Sequence, residues 1–135
     1  MDLQERVKAF LAGSPFAVVG ATSVREKYGN KVLRVFMQHD HEVFPVNPRG
    51  GVIEGLTAYK DLSSIPKAVH GLSVITPPKI TEAVVAEAAQ LGIAHIWMQP
   101  GAENETAIRL AEEAGMNVIA GGPCILVLLG FHEDH

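Results

Sequence analysis

A chain of 135 residues, 47% hydrophobic and 19% charged, has an ordinary globular balance and is long enough to bury a core. Its formal net charge of −4, without a long basic run, argues against nucleic acid but leaves room for an anionic small molecule held by local cations. The lone cysteine, Cys124, excludes an intramolecular disulfide and a cysteine-only metal cage. No apolar signal core opens the chain, and the longest apolar run, ILVLLGF, is too short to span a bilayer. The expectation is a soluble, cytoplasmic protein with no membrane partner.

In chain order, Asp2 can cap a leading helix through Leu11, with Leu3, Val7, Phe10 and Leu11 on one side. A strand is predicted over 16–19, then a long loop from Gly20, with Asn30 as the cap of a helix over 31–39. His39, Asp40 and His41 form a solvated corner before a strand over 42–46. Residues 49–65 hold three glycines followed by TAYKDLSSIP, read as one short strand and a helical turn. A strand over 72–75 ends at Pro77-Pro78, which cannot continue a hydrogen-bonded ladder. Helices over 80–91 and 103–114 stop at Gly92 and Gly115. Strands over 95–98 and 117–120 complete the set. Strands that are almost wholly apolar and alternate with helices predict a Rossmann-like α/β fold: a doubly wound, mostly parallel sheet with helices on both faces. No linker or repeat interrupts it, so residues 1–135 are read as one domain.

Ligands of such sheets settle at the carboxyl ends of the strands. The loop GATSVREKYGN is longer than a plain strand–helix connection needs. Gly20 lets the chain turn, small Ala21 lets amides approach an anion, and Thr22 and Ser23 add hydroxyls. The helix from Lys31 points its amide end at the same place. Arg25, Lys27 and Lys31 are the available cations. Ligand binding is favoured over a bare connection.

After the second strand, an NAD-binding domain normally carries an acid for the ribose hydroxyls. Here stand Asn47, Pro48 and Arg49, and Arg49 suits a phosphate on the ribose, as in NADP or coenzyme A. Thr76, Pro77 and Pro78 form a stiff wall at the same edge, or simply end the strand. Met98, Gln99, Pro100 and Gly101 lie on the next rim, with Trp97 read as core or a flank contact rather than a ligand platform. Cys124 follows Gly121, Gly122 and Pro123 near that edge, as an inert small hydrophobe or, if exposed, a reactive thiol.

VVGATS with YGNKV, VFPVNPRGG, VITPPKI, IWMQPGAENE and EAGMNVIAGGPC occur in an order that resembles the small coenzyme A-binding proteins, whose fold is also the CoA-binding domain of the succinyl-CoA synthetase alpha subunit. The resemblance spans about residues 16–124. It implies that the Gly20–Ser23 loop and Arg25 cradle the pyrophosphate, and that Asn47, Pro48 and Arg49 meet the adenosine and its 3′-phosphate. It implies that Thr76-Pro77-Pro78 borders the adenine or pantetheine path, with Gln99 and Cys124 nearer the thiol. Stand-alone relatives often carry Asp-Arg where this chain has Gly122-Pro123, which leaves the thiol end less polar. The synthetase works through a phosphorylated histidine in a further domain, so its activity is not carried over.

No catalytic constellation is legible. His70 and His95 have no identifiable partner, the helical glutamates read as solvated faces, and HEDH at the end is a polar tail rather than a metal site. The expectation is a non-enzymatic CoA- or acyl-CoA-binding carrier, sensor or accessory protein. An NADP-dependent oxidoreductase, or a fragment of one, and a ligand-free interaction module are the alternatives. A protein partner or a homo-oligomer is compatible with this reading.

Overall fold

A computed structural model describes residues 1–133; Asp134 and His135 of the predicted polar tail lie outside the described residues. Helix α1 (Leu3–Leu11) is capped as expected, with Asp2 accepting from the Glu5 amide at 2.9 Å. Strand β1 (Phe16–Val19) leads to α2 (Tyr28–Gln38) and β2 (Val43–Val46). Two-residue strands β3 (Val52–Ile53) and β4 (Leu56–Thr57) then form a small antiparallel hairpin. A 3-10 turn, Leu62–Ser64, precedes β5 (Gly71–Val74). The rest alternates: α3 (Pro78–Gln90), β6 (His95–Met98), α4 (Glu105–Glu113), β7 (Asn117–Ile119) and α5 (Ile125–Leu129).

The main sheet is parallel throughout, in the order β2-β1-β5-β6-β7. Chain order reverses between β1 and β5, so the crevice of this doubly wound sheet opens at the carboxyl ends of those two strands. Both faces are covered. Phe16, Val18, Trp97 and Ile119 pack with Phe10 of α1, Val32, Leu33 and Phe36 of α2, and Ile125 of α5. Their neighbours Ala17, Val19, Leu72, Val74, Ile96 and Met98 pack on the other side with Val84, Val85 and Ala88 of α3 and Ala107 and Ala111 of α4. Successive strand residues thus serve opposite cores, which is why the strands read as continuous apolar runs. The Phe16 ring lies 5.1 Å from that of Phe10 and 4.8 Å from that of Phe36. Each such ring contributes about 2–3 kcal/mol by leaving water.

Three expectations are corrected. Helix α2 starts at Tyr28, so Asn30 is not its cap. Lys27 stands at the cap position without a side-chain bond, and Asn30 is wholly buried in the first turn. Residues 49–65 form a hairpin and a 3-10 turn rather than one short strand. His70 and His95 are each other's neighbours, their rings 4.3 Å apart at the amino edge of the sheet. Among the described residues no helix is long and apolar enough to cross a membrane.

Candidate functional site

The loop after β1 is shaped from behind. Gly20 takes φ +98°, and a β-carbon there would press on the Ile75 carbonyl. The Gly20 amide donates to Val46 O at 3.2 Å, which ties the start of the loop to the end of β2. Three side chains then turn loop carbonyls away from the crevice. Asn47 Nδ2 donates to Ala21 O at 2.8 Å, Asn30 Nδ2 to Thr22 O at 2.9 Å, and Arg34 Nη2 to Arg25 O at 2.8 Å. Arg34 is itself buried and donates from Nε to Asn30 Oδ1 at 2.7 Å. With the carbonyls engaged, the amides of Ala21, Thr22 and Ser23 have no protein acceptor among the described residues. A row of unpaired amides beside a helix start is an anion-binding arrangement.

These amides border a cleft of about 780 Å³, lined on one wall by residues from Gly20 to Gly29 and on the other by Asn47, Arg49, Gly50, Val52 and Ile53, with Ile75 between. Among the described residues, Lys27 and Arg49 are the cations of its lining, which holds no carboxylate and no histidine. Such a volume suits a nucleotide-sized ligand, and the charge balance suits an anionic one.

Of the residues singled out in the sequence, Gly20, Ala21, Thr22, Ser23, Asn47 and Arg49 come together around the cleft. The others stand beside it or behind it. Arg25 Nη1 pairs with Glu54 Oε1 at 3.2 Å, and Lys31 Nζ lies 3.7 Å from Glu133. Asn30 acts from behind the loop, as described. Pro48, Thr76, Pro77 and Pro78 are outside the lining. Thr76 Oγ1 instead meets Thr81 Oγ1 at 2.7 Å, at the entry to α3.

Gln99 is completely buried. Its Nε2 donates to Ser73 Oγ at 3.0 Å, and its Oε1 accepts from the Ile125 amide at 3.0 Å and from the Tyr28 hydroxyl at 3.1 Å. Cys124 is partly exposed, with Sγ 2.7 Å from the same hydroxyl. With the Tyr28 proton given to Gln99, the Cys124 thiol is left to donate. Burial, reinforced by Cys124, raises the Tyr28 pKa far above the ordinary tyrosine range, so the phenol stays neutral.

Sequence reasoning passed over Tyr28, Gly29, Val52 and Ile53. Gly29 carried a signal, because a glycine early in a helix after a parallel strand often permits close helix–strand packing. The hairpin residues carried none, since their place on the cleft depends on a fold-back of the chain after β2. Among the described residues no group of three or more His, Cys, Asp or Glu side chains could hold a metal ion.

The fold and the cleft define a Rossmann-like α/β domain with a crevice bordered by unpaired amides at its switch point. The chain belongs to the CoA binding domain family, whose model matches residues 14–130. It is similar to the alpha subunit of ADP-forming acetate–CoA ligase II from Pyrococcus furiosus, with 25% identity over 129 residues, 87% of this chain and 28% of the subunit. It is also similar to the uncharacterized protein YneT of Bacillus subtilis, 26% identical over 103 residues that make up 76% of each chain. The chain thus spans less than a third of the ligase subunit. Among solved structures, a conserved hypothetical protein from Pyrococcus furiosus is 39% identical with a TM-score of 0.80, covering 86% of this chain and 99% of its own. A hypothetical protein from Pyrococcus horikoshii OT3 gives a TM-score of 0.87 at 26% identity, over 94% of this chain and 89% of the other.

Proposed function

We propose that this chain is a single-domain, cytoplasmic protein that binds coenzyme A or an acyl-CoA in the cleft, as a non-catalytic carrier, sensor or accessory protein. The observation that carries the reading is the pairing of unsatisfied loop amides, at Ala21 to Ser23, with Arg49 on the opposite wall of one cleft. Coenzyme A has a pyrophosphate for the first and a ribose 3′-phosphate for the second. Membership of the CoA binding domain family supports the same ligand, as does similarity to a ligase subunit named for CoA. In this reading the pantetheine arm runs from the loop past Tyr28 toward Cys124.

Isothermal titration with CoA, dephospho-CoA, NADPH and NAD tests the proposal. CoA should bind most tightly and dephospho-CoA about tenfold or more weakly, the loss of a charge-assisted hydrogen bond. Tighter binding of NADPH than of CoA would favour a nicotinamide-dependent oxidoreductase and overturn the reading. No binding of any of the four would leave an interaction module.

A further inference from the structure

The turn between β3 and β4 has an unusual occupant. Val52 pairs with Thr57 and Ile53 with Leu56, leaving the two-residue loop Glu54-Gly55 with φ values of +50° and +80°. Such loops favour Asn-Gly or Gly-Gly, because both positions lie in the left-handed region. A long side chain there is strained, and strain of this kind persists where the surroundings hold it.

What holds Glu54 is the opposite wall of the cleft. Its Oε1 accepts from Arg25 Nη1 at 3.2 Å, and its Oε2 accepts from Asn30 Nδ2 at 3.0 Å. The Asn30 amide is the group that also turns the Thr22 carbonyl away from the cleft. Ile53, just before Glu54, and Val24, just before Arg25, both line the cleft. The carboxylate therefore bridges the two walls beside the place where phosphate is expected. Its side chain is only 17% exposed, whereas that of Arg25 is 48% exposed.

We propose that Glu54 is an internal anion that fastens the hairpin to the loop and keeps the Arg25 guanidinium beside the cleft, and that a phosphate-bearing ligand draws Arg25 over from it. This rests on the phosphate-binding reading of the cleft given above. Arg25 reaches the cleft by rotation of its own side chain, since residues 24 and 27 on either side already line it. The hairpin stays fastened during the exchange, because Oε2 keeps Asn30 and the Ile53 side chain stays buried. The ion pair stabilises the empty protein alone, so each binding event must overcome it. Glu54 thus sets affinity without touching the ligand.

The test uses two variants. Glu54→Gln keeps the length and an oxygen for Asn30 but removes the charge. Glu54→Asn removes the charge and suits the left-handed turn, so it guards against a folding defect in the first. Inorganic pyrophosphate and CoA are titrated separately by calorimetry. Both variants should bind both probes about three- to tenfold more tightly at low salt, the scale of one unit charge a few ångström away. The gain should shrink at about 0.5 M salt and should vanish in an Arg25→Ala background. A purely structural Glu54 would instead give weaker or unchanged binding, and that outcome overturns the proposal. Pyrophosphate tightening while CoA fails to bind would remove the CoA reading and leave the clasp. CoA binding with no response to either variant would do the reverse. If neither probe binds wild type or variants, both ideas fall.

Discussion

A β-carbon placed on Gly29 would land on the carbonyl oxygen of Gly20. The first turn of α2 and the turn out of β1 are therefore in contact through backbone alone. Gly29 has an ordinary helical backbone, and alanine is normally the better helix former by about 1 kcal/mol. Gly29→Ala should nevertheless destabilise the protein by about 1–3 kcal/mol, because backbone rather than a flexible side chain must give way. It should also weaken ligand binding by displacing the loop. Urea unfolding measures the first effect, and an equally stable or more stable variant would contradict the argument.

Under the proposed coenzyme A reading, Arg49 and Lys27 distinguish two anionic subsites on opposite walls of the cleft. Arg49→Ala should weaken CoA by about tenfold or more, and leave dephospho-CoA nearly unchanged. Lys27→Ala should weaken both ligands to a similar degree, because it stands on the loop wall. Parallel titrations of the two variants check this; an equal loss of both ligands on removing Arg49 would take it away from the 3′-phosphate.

The histidine pair gives a pH dependence with a defined sign. His70 Nε2 lies 2.9 Å from the Phe10 carbonyl, so that nitrogen carries the proton. His95 Nδ1 accepts from Asn117 Nδ2 at 3.0 Å and is therefore unprotonated. Burial, and then the neighbouring His70, hold the His95 pKa below its ordinary 6.5. Burial and His39 do the same for His41, which packs edge-on against Phe16, with Asp40 opposing. The unfolded chain thus takes up protons first. Stability is complete above about pH 6.5 and is lost as pH falls through the lower folded pKa values. Urea midpoints at about pH 7.5 and 5.5 should show the drop, before most carboxylates titrate. His95→Gln should narrow the drop without abolishing it, since His41 remains. A variant with the wild-type pH profile would exclude His95 from the effect.

Gln99 holds three elements at once: Ser73 of β5, Tyr28 of α2 and the first amide of α5. Gln99→Leu keeps the volume and strands the Ser73 hydroxyl and the Ile125 amide in a dry interior, while the half-buried Tyr28 hydroxyl keeps Cys124. The expected loss is about 1–3 kcal/mol for each group left unpaired and buried. Denaturant unfolding should show it, with faster amide exchange through residues 125–129. Retained stability would mean that the partners find each other or water.

The layered fold was legible because its signals are local or periodic. Five apolar strand runs, the glycine stops at Gly92 and Gly115 and the cap at Asp2 all appear in the structure, with boundaries shifted by a residue or two. The start of α2 was not legible. It relies on Gly29 meeting Gly20 and on the Tyr28 hydroxyl reaching Gln99, contacts between distant residues. A search for local caps therefore stopped at Asn30, whose work is to hold Thr22 and Glu54. The His70–His95 pair was hidden for a similar reason: it follows from the register that sets Gly71 beside His95. At the site, glycine, hydroxyl and Asn47–Arg49 chemistry pointed to the cleft, while Glu54, which pairs with Arg25, lay in the one segment without a clear pattern.

Three loop carbonyls are turned inward by Asn47, Asn30 and Arg34, through bonds made within the protein itself. The entropy of ordering that loop is therefore spent during folding and not at the moment of capture. An arriving anion meets donors that need no rearrangement beyond side-chain rotation, so capture should run at the pace of diffusion and charge steering. How long the ligand stays then depends on the fit of everything beyond its phosphates. On the proposed coenzyme A reading, a domain built this way would exchange its ligand quickly while still discriminating by residence time.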